Sequence, residues 1–186
     1  MGRNFEKKVR SEPERKGNNP NRPQLLHHSA LFLPMLAPAS IAAPRTPAEW
    51  AAYYALRHAV LRQPWQQPIG SERTPADDEP GTVHALLLAA GPAAPAALAV
   101  GMLQRLDARQ GQVRFMAVAP AAAGQGLGSQ VLRYLEVQAQ AAGLVEIVLH
   151  ARATAVPFYE RHGYAVVEPS HTLFGVLPHF LMRKPL

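Results

Sequence analysis

A glycine-rich turn separates a predicted strand from a predicted helix in the second half of this 186-residue chain. The turn reads AAAGQGLGSQVL over residues 121–132, with glycine at every second position from Gly124 to Gly128. The apolar run before it, QVRFMAVAP, ends at Pro120 and has the composition of a strand. After it, apolar residues between Val131 and Ala139 recur at the spacing of one helix face. The chain must therefore fold with a strand leading through a tight turn into a helix N-terminus.

A turn of this kind indicates an anion-binding site. Glycine permits unusual backbone angles and close approach of a ligand, and the first N–H groups of a helix have no intrahelical acceptor. The Walker pattern is excluded because no lysine lies between Lys16 and Lys184. The dinucleotide fingerprint also fails, since Ser129 stands where its third glycine belongs. The alternative is a helix start that uses small residues only for close packing.

Positive charge is concentrated at the start of the chain. Of 19 Lys/Arg and 13 Asp/Glu, residues 1–34 contain seven and three, respectively. We predict that residues 1–34 are a disordered basic extension and that residues 35–186, beginning at Met35, form a single folded domain. Nucleic acid is not expected as a partner, because the remaining 12 basic and 10 acidic residues nearly balance.

Composition excludes several kinds of site. The chain has no cysteine, which rules out disulfides, thiolate metal sites and a cysteine nucleophile, and favours a cytoplasmic protein. No spacing of His, Asp and Glu predicts a metal site. Residues 81–104 are uncharged over a length that could span a membrane, but GPAAP at 91–95 interrupts them. A hairpin is therefore predicted there, and no membrane partner is expected.

The remaining pattern predicts helices and strands in alternation. Thr46, Pro47 and Glu49 form a helix-start signature at the beginning of a helix over Arg45–Arg62. Asp77, Asp78 and Glu79 are expected in a solvated loop. A short helix is predicted over Thr154–Arg161, and strands over Leu36–Ala42, Val83–Ala89, Ala96–Leu106, Gln112–Pro120, Leu144–Ala151, Tyr164–Glu168 and His179–Pro185. The predicted class is α+β (mixed α/β) with one central sheet.

The C-terminal half resembles the GNAT superfamily of acyl-CoA-dependent N-acyltransferases. The resemblance is carried by MAVAPAAAGQGLGSQVL, GLVEIVLHA, AVPFYERHGYAVV and PHFLMRKPL, covers residues 35–186 and is strongest from Phe115 onward. It implies a central, mostly antiparallel mixed sheet flanked by helices in a single domain. It also implies an N-acetyltransferase reaction, in which a primary amine attacks acetyl-CoA directly in a ternary complex. The expected partners are acetyl-CoA and an unidentified amine acceptor, without a metal, and a homodimer is left open.

The resemblance also implies which residues bind the cosubstrate. In the family the turn reads Arg/Gln-x-x-Gly-x-Gly/Ala; Gly126 and Gly128 match it, whereas Ala123 occupies the Arg/Gln position. Backbone N–H groups of the turn would bind the coenzyme A pyrophosphate, and the strand ending at Val118 would hold the pantetheine arm. The implied cofactor-binding residues are Met116, Ala117, Val118, Ala123, Gly124, Gln125, Gly126, Leu127, Gly128, Ser129 and Phe158. Arg133, Arg152 or Arg161 could meet the 3′-phosphate.

The resemblance suggests catalytic residues as well. Tyr159 matches the tyrosine that often protonates the departing thiolate, and a phenol with an ordinary pKa of about 10 carries its proton at neutral pH. His179 is a candidate general base, with His84 and His150 as further titratable candidates. The alternative to a functional role, for Tyr159 and for Phe158, is that the ring only contributes to packing between the short helix and the sheet.

Two other functions stay open on the sequence. The absence of an arginine or glutamine at Ala123, and of an obvious base, is compatible with a non-catalytic GNAT-like domain that binds acyl-CoA as a sensor or scaffold. A nucleic-acid-binding module is the second alternative, and it depends on the basic extension alone. The acceptor cannot be read from the sequence, because one fold serves many substrates.

Overall fold

The computed structural model describes residues 1–2, 40–91 and 95–186. The predicted extension, and all but the end of the predicted strand Leu36–Ala42, lie outside the described residues apart from Met1 and Gly2. Ala42 itself forms an isolated antiparallel bridge with Leu86. The fold below is that of residues 40–186.

Three helices and six strands make up this fold. The helices are α1 (Pro47–Leu61), α2 (Leu127–Ala141) and α3 (Val156–Glu160). The strands are β1 (Val83–Leu88), β2 (Ala97–Arg105), β3 (Gln110–Val118), β4 (Glu146–Arg152), β5 (Ala165–Leu173) and β6 (Leu177–Pro185).

The strands form one sheet in the order β1-β2-β3-β4-β6-β5. Every neighbouring pair is antiparallel except β3 and β4, which run parallel because α2 crosses over between them. The α+β class and the mostly antiparallel mixed sheet flanked by helices are confirmed. The predicted hairpin across residues 81–104 is also confirmed, since β1 pairs antiparallel with β2.

Each face of the sheet is covered by one long helix. Leu132 and Leu135 of α2 are fully buried against Leu149 and the other residues of the larger core cluster. On the opposite face, Tyr53 of α1 packs with Val100 in a second, smaller cluster. Successive residues of a strand point to opposite faces, so each strand inside the sheet supplies side chains to both layers.

The ends of the strands differ from the predicted ends where pairing with a neighbouring strand, and not the local sequence, determines them. The capping box at α1 is present, with the Glu49 N–H donating to Thr46 Oγ1 at 3.2 Å. The predicted strand Tyr164–Glu168 is too short: β5 continues to Leu173, because two register shifts let it keep pairing with β6 past Pro169. The last strand begins at Leu177, before the predicted His179.

Among the described residues, no helix is long and apolar enough to cross a membrane.

Candidate active site

The centre of the sheet contains a gap between its two parallel strands. Pairing of β3 with β4 covers only Gln110–Val113 opposite Glu146–Leu149. Beyond Val113 the two strands have no further pairing, so the β4 side of residues 114–118 has no strand partner. Strand residues from both sides line a cleft of about 410 Å³ at this gap. The gap therefore offers backbone donors and acceptors to a ligand.

A bulge in β3 accompanies the separation. The register with β2 changes between Met102 opposite Arg114 and Val100 opposite Ala117, which leaves an extra residue on β3. Phe115 lies in this bulge with φ of 53°, a left-handed conformation that is strained for an aromatic residue. Such strain persists only where surrounding contacts stabilise it.

A buried arginine from α1 stabilises the bulge. The Arg57 guanidinium lies 3.7 Å from the centroid of the Phe115 ring and is fully buried. Its Nη1 donates to Asp77 Oδ1 at 2.8 Å, which neutralises the charge in the interior. Asp77 is therefore not in the solvated position expected from the sequence: it is buried at 7% exposure, because Arg57 needs a carboxylate partner there.

The glycine turn presents free N–H groups. Gly124 and Gly126 have φ of 76° and 74°, and a Cβ at either position would meet no atom within 4 Å. No side chain caps the N-terminus of α2. The first backbone hydrogen bond of this helix is donated by the Gln130 N–H to the Gly126 carbonyl. Within the described part of the chain, the N–H groups of residues 124–129 have no acceptor. Such a row fits a diphosphate group.

Gly128 has a packing role in the same turn. A Cβ there would lie 3.4 Å from Val118 Cγ2 and 3.6 Å from Phe158 Cζ. These are ordinary van der Waals distances, so Gly128 packs between the two side chains without the position requiring glycine. Phe158, predicted as a cofactor contact, lies in this packing layer with its ring 5.0 Å from Tyr159 and 4.5 Å from His162. Ala123 lies before the turn and is exposed.

Tyr159 lines the cleft from α3. Its side chain is largely buried, and its hydroxyl has no hydrogen-bond partner among the described residues. Burial raises the pKa of the Tyr159 phenol well above its ordinary value, and the positive charge of Arg152 offsets part of that rise. The phenol consequently keeps its proton throughout the physiological range and is available as a donor.

His179 lines the same cleft from β6. It pairs across the ladder with Arg152 of β4, so the two side chains share one face of the sheet. The Nδ1–H of His179 donates to the Leu177 carbonyl at 2.8 Å, which leaves the lone pair on Nε2. Burial lowers the His179 pKa, as do the nearby His171, Arg152 and His150. The ring is therefore neutral at pH 7.

The fold agrees with the comparisons to known proteins. The sequence model of the acetyltransferase (GNAT) domain matches residues 92–186. The chain belongs to this GNAT family. The Bacillus subtilis protein named "Uncharacterized N-acetyltransferase YjcF" is 37% identical over 59 residues, which cover 32% of this chain and 42% of YjcF. The matched segment thus spans less than half the length of that curated relative.

Solved GNAT structures share the architecture. The crystal structure of a proposed N-acetyltransferase from Lactobacillus plantarum is 28% identical, with a TM-score of 0.65, covering 79% of this chain and 96% of that one. An aminoglycoside 6′-N-acetyltransferase complexed with coenzyme A has a TM-score of 0.64 at 14% identity, covering 78% and 96%. At 14% identity, the similarity to the aminoglycoside 6′-N-acetyltransferase concerns the fold alone.

The GNAT cleft brings together some of the predicted residues and not others. Tyr159, His150 and His179 line it together with Met116, Ala117 and Val118. His84 does not: it is buried beneath α1, within hydrogen-bonding distance of Tyr53 Oη and the Asp77 carbonyl, at 3.1 and 3.0 Å.

Sequence reasoning missed His171. Its ring stacks on that of His179, with centroids 4.7 Å apart and planes 12° from parallel. Ser170 Oγ joins it to His150, at 3.1 Å from His171 Nδ1 and 2.6 Å from His150 Nδ1. The short predicted strand ended before this residue, and residues 164–173 have no alternation of apolar and polar residues that would have extended it. No local signal in the sequence could therefore have found His171. Among the described residues no His, Asp and Glu side chains form a metal-binding group.

Proposed function

We propose that this GNAT domain is an N-acetyltransferase that moves an acetyl group from acetyl-CoA to a primary amine by direct attack in a ternary complex. Membership of the GNAT family supports acyl transfer from coenzyme A. The observation that carries the proposal is the cleft itself. It combines an unpaired edge of β3 with a protonated Tyr159. The free N–H groups of residues 124–129 do not line the cleft but follow the end of β3 in the chain.

Binding would use mainly backbone groups. The N–H groups of residues 124–129 would hold the pyrophosphate of acetyl-CoA, and the open edge of residues 116–118 would hold its pantetheine arm. Bound acetyl-CoA supplies a thioester, which is an activated acyl group. The exposed Ala123 supplies no side-chain donor, so the glycine backbone would carry this contact. Fixing the thioester against the amine contributes a large part of the rate.

Two side chains would move protons. The Tyr159 hydroxyl would donate its proton to the departing thiolate sulfur. The free Nε2 of His179 would accept a proton from the attacking amine, for which a neutral ring at pH 7 is required. Backbone N–H groups at the β3 bulge would donate to the carbonyl oxygen as its charge develops.

Thermal melting with acetyl-CoA, followed by an amine screen for release of free thiol, tests the proposal. A ligand at 100 times its Kd stabilises the folded state by about 2.7 kcal/mol, so a clear rise in Tm is expected with acetyl-CoA and not with NADH or ATP. We expect Tyr159→Phe to lower kcat by roughly 10²-fold or more while preserving the acetyl-CoA shift. A Tm unmoved by millimolar acetyl-CoA would contradict the proposal.

A non-catalytic acyl-CoA sensor or scaffold is the second candidate. The alanine at position 123 favours it, because it removes a side-chain contact to the pyrophosphate. This candidate predicts a normal acetyl-CoA shift, no thiol release with any amine tested, and no effect of Tyr159→Phe on the response. The two measurements together separate the candidates.

A further inference from the structure

The cleft is positively charged on the α1 face of the sheet. Its lining includes Arg62, Arg114 and Arg152, together with three histidines, of which His179 is neutral at pH 7. Among the described residues, no aspartate or glutamate lines it. A site of about 410 Å³ has the size of a small-molecule pocket. The cleft is thus large enough for a small acceptor, and its positive charge should determine which acceptors bind.

None of the three arginines has a carboxylate partner within 4.0 Å in the described part of the chain. Arg62 donates from Nε to the Ser71 carbonyl at 2.9 Å and from Nη1 to its neighbour's carbonyl at 3.3 Å. Arg114 donates from Nη1 to Gln104 Oε1 at 2.7 Å. The Arg152 side chain makes no hydrogen bond to a described residue. Most of their donors remain available.

The nearest acidic side chains are engaged elsewhere. Asp77 is paired with Arg57. Glu72 accepts from the Gly70 N–H at 2.8 Å, and Glu79 accepts from Gln104 Nε2 at 2.8 Å. The carboxylates of Glu72, Asp77 and Glu79 still offset part of the positive charge of Arg62 and Arg114, whereas no described carboxylate acts on the pKa of Arg152.

Burial makes that charge costly without an anion. All three guanidiniums are half-buried, and desolvation is the largest cause lowering the pKa of each. Neighbouring arginines lower the pKa of Arg62 and Arg114 further, and nearby carboxylates, Glu72 for Arg62 and Asp77 and Glu79 for Arg114, raise it in part. A partly desolvated cation without a counterion is unfavourable, and a planar guanidinium is the side chain best suited to bind a carboxylate with two parallel hydrogen bonds.

We propose that the acceptor amine also carries a carboxylate, and that Arg62, Arg114 and Arg152 bind it within the cleft. This inference rests on the proposed function, because it names the substrate class of the same site. Positive surroundings also disfavour an ammonium ion, so they help to present the amine in its neutral, nucleophilic form. A polyamine or an aminoglycoside would instead add unpaired positive charge to the cleft.

The first test compares matched acceptors with the full chain and acetyl-CoA. Each pair consists of an amino acid and its decarboxylated amine, and the amide and the aminoalkyl phosphonate of the same skeleton are added. Because a charge-assisted hydrogen bond contributes about 1.5–3 kcal/mol, kcat/KM should be at least about tenfold higher for the amino carboxylate. Equal or higher kcat/KM for the decarboxylated amines would overturn the inference. The phosphonate arm distinguishes carboxylate from phosphate as the acidic group.

The second test uses Arg152→Gln and Arg114→Gln. Loss of a charge-assisted contact should raise KM for the amino carboxylate at least about tenfold, while KM for acetyl-CoA and the Tm change little. A rise in KM for acetyl-CoA in Arg152→Gln would instead assign Arg152 to the 3′-phosphate and overturn its role here. The matched control is Arg109→Gln, an exposed arginine in the turn before β3, which should leave all three values unchanged. Arg152→Glu should move the preference toward the decarboxylated amine. Unchanged acceptor KM values in all cleft variants would overturn the inference.

Failure of the proposed function gives a different result. If cationic or neutral amines release thiol faster than amino carboxylates, acetyl transfer stands and this inference is wrong. If no amine releases thiol, amino carboxylates are added alone in thermal melting. A rise in Tm with the wild type that Arg152→Gln abolishes would support the carboxylate site without turnover; no rise would overturn it.

Discussion

Single side chains decide the protonation states on which the proposed chemistry depends. His179 is held as a neutral ring whose pKa lies below its ordinary 6.5, because it is buried next to other cationic groups. A base must be neutral to accept a proton, so the limb of kcat/KM that His179 causes should lie below pH 6.5, at lower pH than for a free imidazole. It should be separate from the fall at higher pH that protonation of the acceptor amine itself produces. The measurement is a profile of kcat/KM against pH.

Variants of two histidines identify the residue whose protonation causes the acid limb of the kcat/KM profile. His179→Gln should reduce kcat/KM by roughly 10²-fold and remove the acid limb, whereas His150→Gln, in the same cluster, should shift the limb and keep most of the activity. A limb that survives unchanged in His179→Gln would identify another group as the base.

The pair of Arg57 and Asp77 makes a stability prediction. Removing one member leaves a buried charge without its partner, so Asp77→Ala should lower the free energy of unfolding by about 3–5 kcal/mol. The neighbouring Asp78 is exposed, and Asp78→Ala is the matched control, for which little change is expected. Urea unfolding of the two variants measures the difference, and equal stabilities would show that Arg57 does not depend on Asp77.

At the scale of elements, the approach of α2 to β2 depends on Gly101. A Cβ at this position would lie 2.6 Å from Met116 Sδ, 2.8 Å from Val131 Cγ1 and 3.0 Å from Leu135 Cδ1. Overpacking of this kind costs about 1–3 kcal/mol, so Gly101→Ala should destabilise the domain by that amount in thermal or urea unfolding. Combining it with Leu135→Val, which shortens one of the contacting side chains, should recover part of the loss. No recovery would mean that the strain lies elsewhere.

The sequence predicted those elements whose signals are local. The capping box fixed the start of α1, the turn at residues 91–95 predicted the hairpin of β1 and β2, and the helical spacing after Gly128 predicted α2. The β3 bulge and the position of His171 were not predictable in this way. Both depend on the register between strands, and the stacking partner His179 lies on a different strand from His171.

The site was predictable to a similar extent. The turn and Tyr159 were accessible from the sequence because a motif marks each of them. The burial of Asp77 was not, since its partner Arg57 lies 20 residues away on another element. The same is true of the three cleft arginines, whose proximity arises from α1, β3 and β4 meeting at the gap.

At the scale of the whole molecule, the helices and strands that the structure describes lie within residues 40–186. Both core clusters and all six strands belong to this range. We therefore propose that residues 1–34 are dispensable. A chain beginning at Met35 should fold, keep its Tm within a few degrees and retain acetyl-CoA binding, as measured by thermal melting and thiol release. Loss of folding or of activity on truncation would contradict this boundary.

The gap at the centre of the sheet has a consequence for cooperativity. One three-stranded half contains β1 to β3 and the other β4, β6 and β5, and the ladder joins them only between Gln110–Val113 and Glu146–Leu149. A ligand seated in the gap touches both halves, so its binding free energy also opposes their separation. Hydrogen exchange should then slow as far away as β1, which does not line the cleft, when acetyl-CoA binds. Bound acetyl-CoA would join the two halves of the sheet where their strands do not pair, and this connection would be lost and formed again at every turnover.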